Sequence, residues 1–287
     1  MWLLPTRGRP AQCQDVLDTC EVMGMTAPGV VFIDGRTTPA NDDAYHELDL
    51  PHNWIKVFSE DRVRLTASMQ WAFNQFPNES SYGWLADDTF PQTPNFDAIL
   101  EAAAGSWEYA QANDAIARNH QWAGQPRILT SGLCWGGELV RAVGWWGWPE
   151  VTHVGIDGMW ARIIEKLGVC HYCPDVVVEH RHWSTGKRER DAIDVTSNDD
   201  DEVVKADMRR YKKLKKNDEV ACIADRVRTL RQVAVDTDYR AAAHRAIFPL
   251  GQSEPFASLE NGEVTLYGEH YEQCPPFSAP APKRNPL

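Results

Sequence analysis

The 287-residue sequence contains no apolar run that approaches the roughly 18 residues needed to span a membrane. Its opening apolar residues are followed at once by Pro5 and Arg7, too early for the apolar segment of a secretory signal. The seven cysteines are odd in number and lack the spacing of a disulfide framework. We therefore expect a cytoplasmic protein that does not bind a membrane.

Glycine and proline, with 19 and 18 residues, are close to their usual share, which excludes collagen-like and low-complexity architectures for most of the chain. The chain is 43% hydrophobic and 24% charged, as is typical of a globular protein with a buried core. Basic residues are outnumbered, 29 to 41, giving a net charge of −12. A bound nucleic acid would therefore have to meet a local basic patch.

Short apolar runs alternate with helical patterns along the first 186 residues. Residues 2–4 and 29–33 are apolar runs, and between them apolar side chains recur at helical spacing from Cys13 to Cys20. This pattern predicts a βαβ unit. We expect an α/β fold with a mixed, mostly parallel sheet flanked by helices, followed by a C-terminal helical extension.

The composition changes to runs of charge from about residue 187. We expect a folded domain over residues 1–186 and a charged helical extension over residues 187–246. Residues 247–287 are expected to form a C-terminal segment that ends in a flexible, proline-rich tail.

An acidic pair, Asp87 and Asp88, directly follows the apolar strand predicted over residues 82–86. Open α/β sheets bind ligands at the carboxyl ends of their strands, and paired carboxylates can hold a divalent cation that shields a diphosphate. A solvated turn before a proline is the commoner role of such a pair.

A basic loop, residues 5–10, separates the first strand from the first helix. It places Arg7 and Arg9 at a helix N-terminus, where an anionic nucleotide could bind. It is neither a Walker nor a Rossmann glycine motif. An ordinary charged loop is the alternative interpretation.

Two histidines, His180 and His182, follow the last apolar strand of the domain and lie on one side of an extended chain. An imidazole there could complete a metal shell. Cys170 and Cys173 precede them as a CxxC pair, which leaves a zinc site open, although zinc fingers have a longer span between their ligand pairs. A surface histidine pair is the default.

One further carboxylate, Asp157, lies between Gly155 and Gly158 at the start of a predicted amphipathic helix. A carboxylate in this position is either a general base or a helix cap.

Taken in chain order, these four motifs resemble those of the GT-A glycosyltransferases, especially the large inverting family, over about residues 2–183. The resemblance implies a Rossmann-like GT-A fold and a nucleotide-sugar donor, with UDP-sugars favoured. It implies that the donor is bound by Thr6, Arg7, Arg9, Asp34, Arg62 and Asp87. It further implies Mn²⁺ or Mg²⁺ held by Asp88, His180 and His182.

The same resemblance identifies Asp157 as the catalytic base, which would deprotonate an acceptor hydroxyl while the cation neutralises the leaving diphosphate. The resemblance implies an inverting reaction. Ile156 precedes this aspartate where the family often has glutamate, so a retaining reaction stays open. The segment that resembles the loop closing over donor and acceptor comprises Trp135, Gly136, Gly137 and Glu138.

The compact, tryptophan-rich sequence is also similar to bacteriophage glycosyltransferases, some of which modify hydroxymethylated pyrimidines in viral DNA. We therefore expect a 5-hydroxymethylpyrimidine in phage DNA as acceptor, and the host cytoplasm as location if the protein is viral. Tryptophans beside glycine or charge, such as Trp84, Trp146 and Trp183, are candidates for a ligand surface.

A basic segment over residues 205–216 supports a DNA acceptor, since it could neutralise several phosphates. Its basic residues are Lys205, Arg209, Arg210, Lys212, Lys213, Lys215 and Lys216. A solvated helix face is the alternative for the segment, and protein, glycan or lipid-linked acceptors are the alternatives for the reaction. A non-enzymatic, zinc-stabilised nucleic-acid-binding protein is the alternative from another class.

Overall fold

The structure is a computed structural model that describes residues 1–116, 132–194, 201–214, 218–247, 257–260 and 263–266. Eight of its strands form the main sheet: β1 (Trp2–Thr6), β2 (Gly29–Ile33), β3 (Trp54–Phe58), β4 (Ser81–Trp84), β5 (Thr89–Pro91), β6 (Tyr109–Asn113), β7 (Leu133–Gly136) and β8 (Cys170–His180). A separate antiparallel pair comprises β9 (Ala257–Glu260) and β10 (Glu263–Leu266).

The α-helices of the described residues are α1 (Pro10–Val22), α2 (Pro39–His46), α3 (Arg64–Gln75), α4 (Phe96–Ala104), α5 (Gly137–Val143), α6 (Ile156–Leu167), α7 (Asp201–Leu214) and α8 (Glu219–Ile247). A short 3₁₀ helix covers Trp183–Thr185. Pro10 begins α1, where its fixed φ suits the first helical position.

The main sheet has the strand order β3-β2-β1-β4-β7-β6-β8-β5. Strands β1 to β4 are mutually parallel, β6 and β8 run in the same direction, and β5 and β7 run in the opposite one. The carboxyl ends of β1, β4 and β8 therefore reach the same edge of the sheet. The expected mixed, mostly parallel sheet with a C-terminal helical extension is confirmed.

Helices cover both faces of the sheet, so β2 is buried along its whole length. Val31 and Ile33 pack in one core with α1 and α4. Val30 and Phe32 face the other core, to which α3, α5 and α6 contribute. A run of apolar residues without alternation is what a strand covered on both faces requires.

Tryptophan and glycine alternate in one row across four neighbouring strands. Trp2 pairs in register with Gly83 on one side and Gly29 on the other, and Gly29 pairs with Trp54. A Cβ atom at Gly83 would overlap the indole of Trp2, and one at Gly29 would overlap that of Trp54. Each glycine therefore leaves the volume that a neighbouring indole fills.

A second tryptophan group forms the centre of the opposite core, so the expectation that Trp146 contributes to a ligand surface is wrong. Trp146 lies 5.9 Å from Trp135 between ring centroids, and Trp145 lies 5.1 Å from Trp160. These rings and Trp148 are buried. Their proximity to glycine or charge in the sequence reflects turns at the ends of β7 and α5, not exposure.

The chain divides into two compact units, Met1–Arg231 and Gln232–Leu287. The boundary expected after residue 186 lies inside the first unit, because α7 packs against the loop that precedes α6. No helix in the described ranges is both long and apolar enough to span a membrane.

Candidate functional site

A cavity of about 280 Å³ opens at the edge of the sheet where β1, β4 and β8 end. It brings together side chains from all the strand ends that the sequence singles out. Its walls include Thr6, Arg7, Arg9, Asp34, Arg62, Arg64, Trp84, Asp87, Asp88, His153, His180, His182, Ile193 and Asp194.

A tight turn and a strand pairing position the two carboxylates. The hydroxyl of Thr89 donates to the carbonyl of Ala86 and accepts from its amide, which closes the turn around Asp87 and Asp88. Thr89 also pairs with His180 in the β5–β8 ladder. Asp88 is therefore held beside the histidine that ends β8.

Arg9 reaches across the cavity to three carboxylates. Its guanidinium lies 3.2 Å from Asp87 Oδ1 and 2.7 Å from Asp194 Oδ1, and it donates two hydrogen bonds of 2.8 Å to Asp191. Burial alone would lower the pKa of Arg9, but these carboxylates raise it. Arg9 therefore remains charged, and it joins the end of β1 to the segment that follows β8.

The two adjacent aspartates have opposite pKa shifts. Burial raises the pKa of Asp87, although Arg9 and a 3.0 Å hydrogen bond from the Thr6 hydroxyl act against the shift. Burial also acts to raise the pKa of Asp88, but its interaction with His180, which includes a hydrogen bond, holds it below its usual range. Of the two carboxylates, Asp88 is therefore the more readily ionised.

Asp88 and His180 fit a divalent metal. Asp88 Oδ1 lies 3.3 Å from His180 Nε2, both side chains are nearly buried, and both line the cavity. Oxygen and imidazole together suit Mn²⁺ better than Mg²⁺, which prefers oxygen alone. The described residues contain no cluster of three or more His, Cys, Asp or Glu ligands. A cation would therefore need further ligands from a bound molecule or water.

His182 follows β8 and forms local hydrogen bonds beside the cavity. Its Nδ1 accepts a hydrogen bond of 3.2 Å from the Ser184 amide and caps the 3₁₀ helix. Burial lowers the pKa of His182, which favours the neutral ring. His182 nevertheless lines the cavity, so its role as a metal ligand stays a prediction.

Asp34 connects the end of β2 to the start of α3. Its Oδ1 accepts from the amides of Val63 and Arg64, at 2.6 and 3.0 Å. Its carbonyl oxygen lies 3.5 Å from a guanidinium nitrogen of Arg7. The carboxylate thus orders the backbone that brings Arg62 and Arg64 to the cavity wall.

No protein-family model and no curated protein matches the chain. Among solved structures, GalNAc-T7 with UDP, GalNAc and Mn²⁺ is similar at 10% identity and a TM-score of 0.46, over 62% of this chain and 42% of that one.

Two other solved structures are similar over nearly the same share of this chain. Glucosyl-3-phosphoglycerate synthase from Mycobacterium tuberculosis, with Mn²⁺, UDP and glucosyl-3-phosphoglycerate, is 13% identical over 63% of this chain and 71% of that one, with a TM-score of 0.44. S. aureus TarS 1–349 is 12% identical over 62% and 58%, with a TM-score of 0.46. Because these similarities are weak, we infer the function from the residues that line the cavity.

The expected base, Asp157, lies in the first turn of α6 with an exposed side chain. Gly155, with a φ of 92°, occupies the N-cap position, so Asp157 is not the cap. Asp157 is not among the residues that line the cavity, but His153, four residues earlier, is. The loop before α6 therefore joins the cavity to this carboxylate.

The segment expected to close over the ligands lies elsewhere. Because β7 is antiparallel to β4, Gly136 pairs with Ser81 at the start of β4, at the edge opposite Asp87 and Asp88. Trp135 is buried in the core, Gly137 begins α5, and Glu138 forms an ion pair with Arg141. The structure does not bring these residues to the cavity.

The zinc interpretation is not supported by the geometry. Cys170 packs with the core that contains α6, whereas Cys173 packs with the core that contains α1. The two thiols thus belong to opposite faces of the sheet and cannot bind one ion together with His180.

Several cavity residues have no clear signal in the sequence. Arg64 begins α3, and His153 precedes α6. Ile193 and Asp194 follow a charged run, which is typical of a solvated surface. Ile193 covers Gly8, where a Cβ atom would overlap its side chain. Only the short spacing of Asp191 and Asp194, opposite an arginine-bearing loop, hints at their ion pairs.

One basic residue of segment 205–216, Arg210, is held by contacts with residues outside the segment. Arg210 forms ion pairs with Glu150 and Glu219 and lies 5.5 Å from the ring centre of Trp148. The side chains of Lys205, Arg209, Lys212 and Lys213 are exposed, whereas Lys215 and Lys216 lie outside the described residues.

Proposed function

We propose that this chain is a glycosyltransferase that moves a sugar from a nucleotide-sugar donor to a hydroxyl acceptor. One observation carries the proposal. An acidic pair after β4, a histidine at the end of β8 and an arginine-bearing loop after β1 line the same cavity. These are the groups needed to bind a cation and the phosphates of a nucleoside diphosphate together.

The donor side of the cavity has a distinct role for each group. Asp88 and His180 would hold a divalent cation, preferably Mn²⁺, which when bound neutralises the leaving diphosphate. Thr6, Arg7, Arg9, Asp34, Arg62 and Asp87 are the residues we assign to the nucleotide sugar, with a UDP-sugar favoured. Arginine suits phosphate because its planar guanidinium donates two hydrogen bonds in parallel.

On the acceptor side, Asp157 is the proposed catalytic base. It would accept the proton of the acceptor hydroxyl as the oxygen attacks the anomeric carbon, which inverts the configuration. Its exposed carboxylate is open to an acceptor from solvent.

The acceptor that we propose is a 5-hydroxymethylpyrimidine in phage DNA. The exposed lysines and arginine of α7 support this choice, since they can contact phosphates beside the modified base. Hydroxyls of a protein, a glycan or a lipid-linked sugar are the alternatives that a transfer assay separates.

Calorimetric titration with UDP tests the donor site. We expect binding in Mn²⁺ and little in EDTA, because Asp88 and the diphosphate repel each other without a cation. Asp88→Asn should reduce the affinity in Mn²⁺ to the EDTA level, with an unchanged circular dichroism spectrum. Asp43→Asn, at an exposed position of α2, is the matched control. Equal affinity of the wild-type protein in Mn²⁺ and EDTA would refute the metal assignment.

A further inference from the structure

Asp207, on the C-terminal extension, binds the loop that precedes α6. Its carboxylate accepts three backbone N–H groups: Thr152 at 2.9 Å on Oδ1, and His153 and Val154 at 2.7 and 3.0 Å on Oδ2. The side chain is almost completely buried, with 3% of its surface exposed. An ionised carboxylate suits this position because both of its oxygens accept and neither donates.

The loop that Asp207 holds connects the two sides of the candidate site. His153 lines the cavity, and Asp157 stands four residues later in the first turn of α6. The carbonyl oxygen of Thr152 accepts from the hydroxyl of Thr66, which ties the same loop to α3. The position of Asp157 therefore depends on where these three amides are fixed.

Tyr211 forms a second contact one helical turn after Asp207. Its ring packs against Gly155 and Gly158, where a Cβ atom on Gly158 would overlap the phenol. Its hydroxyl accepts a 3.2 Å hydrogen bond from Arg162 Nε. One face of α7 thus holds both the loop before α6 and the first turn of that helix.

We infer that Asp207 is a positioning residue that sets the acceptor side of the active site by fixing residues 152–154 ahead of Asp157. The inference rests on the proposed transferase function. Asp207 is the only acidic residue in the basic segment 205–216, and its carboxylate accepts hydrogen bonds from three backbone amides. The extension is accordingly part of the catalytic unit rather than only a nucleic-acid arm.

Two substitutions separate positioning from folding. Asp207→Ala removes all three acceptors, whereas Asp207→Asn can keep the oxygen that serves His153 and Val154 but turns an amide donor toward Thr152. Glu202→Gln, on the exposed side of the same helix, is the matched control.

The assay uses UDP-glucose with water as acceptor and measures UDP release, alongside calorimetric UDP binding in Mn²⁺. We expect Asp207→Ala to lower kcat by about ten- to a hundredfold while UDP affinity stays within about twofold of wild type, because misplacement of a catalytic group costs turnover and leaves the donor side intact. Asp207→Asn should fall between Asp207→Ala and wild type, and Glu202→Gln should match wild type.

Each outcome is decisive. Unchanged kcat in folded Asp207→Asn and Asp207→Ala would overturn the positioning role alone. A parallel loss of kcat and UDP affinity would also overturn it, since that pattern indicates general destabilisation. If Asp207→Ala does not fold, the split between kcat and UDP affinity in Asp207→Asn decides. Absence of UDP binding by wild-type protein would instead remove the proposed donor site and the inference with it, whereas UDP binding without UDP release would overturn the inference alone.

Discussion

Arg9 forms ion pairs with three carboxylates around the cavity, and Arg9→Met tests how much they stabilise the fold. The change keeps an unbranched, flexible side chain but removes the guanidinium group and its charge. Arg9 is 11% exposed and its partner Asp87 is 10% exposed, so the ion pair is nearly buried. Removing one partner of a buried pair costs more than removing an exposed one, because the other charge remains desolvated.

The magnitude follows from which carboxylates keep a partner. Asp194 retains Arg188 at 2.6 Å, and Asp191 is partly exposed, so both tolerate the loss. Asp87 keeps only the Thr6 hydroxyl as a close donor among the described side chains. We therefore expect a loss near the lower end of the range for a broken buried pair, about 3 kcal/mol of unfolding free energy.

Urea unfolding followed by circular dichroism at pH 7 measures this loss. Arg36→Met is the control, because Arg36 and Glu60 form a pair of similar length, 3.3 Å, but are 73% and 86% exposed. We expect that control to lose less than about 1 kcal/mol. Equal losses in Arg9→Met and Arg36→Met would refute the reasoning.

The pH dependence gives a second test of the same variant. Because the charge of Arg9 lowers the pKa of Asp87, its removal raises that pKa further above the unfolded value. The folded variant then takes up a proton more readily than the unfolded chain. Part of the lost stability should return as the pH falls from 7 toward 5.

Two further predictions concern the reaction. Asp157→Asn should lower transfer by about 10²–10⁴-fold and leave UDP binding intact, because a base acts on the acceptor. Retained turnover would argue against a base at this position. NMR of the anomeric proton of the product gives the stereochemistry of transfer. Lys212→Glu with Lys213→Glu should make the slope of log K against log salt for duplex DNA shallower by about 2, since each lysine accounts for about one released counterion. Mass spectrometry of nucleosides from DNA with 5-hydroxymethylcytosine measures transfer, with unmodified DNA as control; no added sugar mass and no salt-dependent binding would exclude the DNA acceptor.

Much of the sheet could be predicted from local pattern. The run from Gly29 to Ile33 has no polar residue, which is typical of a strand covered on both faces. Asp88 and His180 are both predicted to lie at the ligand-binding edge, because open α/β sheets bind ligands at the carboxyl ends of their strands. Both side chains line the cavity.

The remaining features depend on contacts that leave no local pattern. Nothing in the residues around Gly136 reveals that β7 is antiparallel to β4, and this reversal sends the segment after it to the far edge. Asp207 resembles a lone acid on a basic helix, since its partners are backbone amides that any residue can supply. Trp146 beside Trp145 and Gly147 resembles a surface turn, although the indole is buried.

The alternating row of Trp54, Gly29, Trp2 and Gly83 constrains how this sequence can change. An alanine at Gly83 has no room while an indole occupies position 2, and a small residue at position 2 leaves an unfilled hollow beside Gly83. Neither change is tolerable alone, but the two together exchange one filled volume for another. Homologous chains should therefore differ at these sites in pairs. Where a tryptophan is found on the neighbouring strand, a glycine should be found at the position that tryptophan has here.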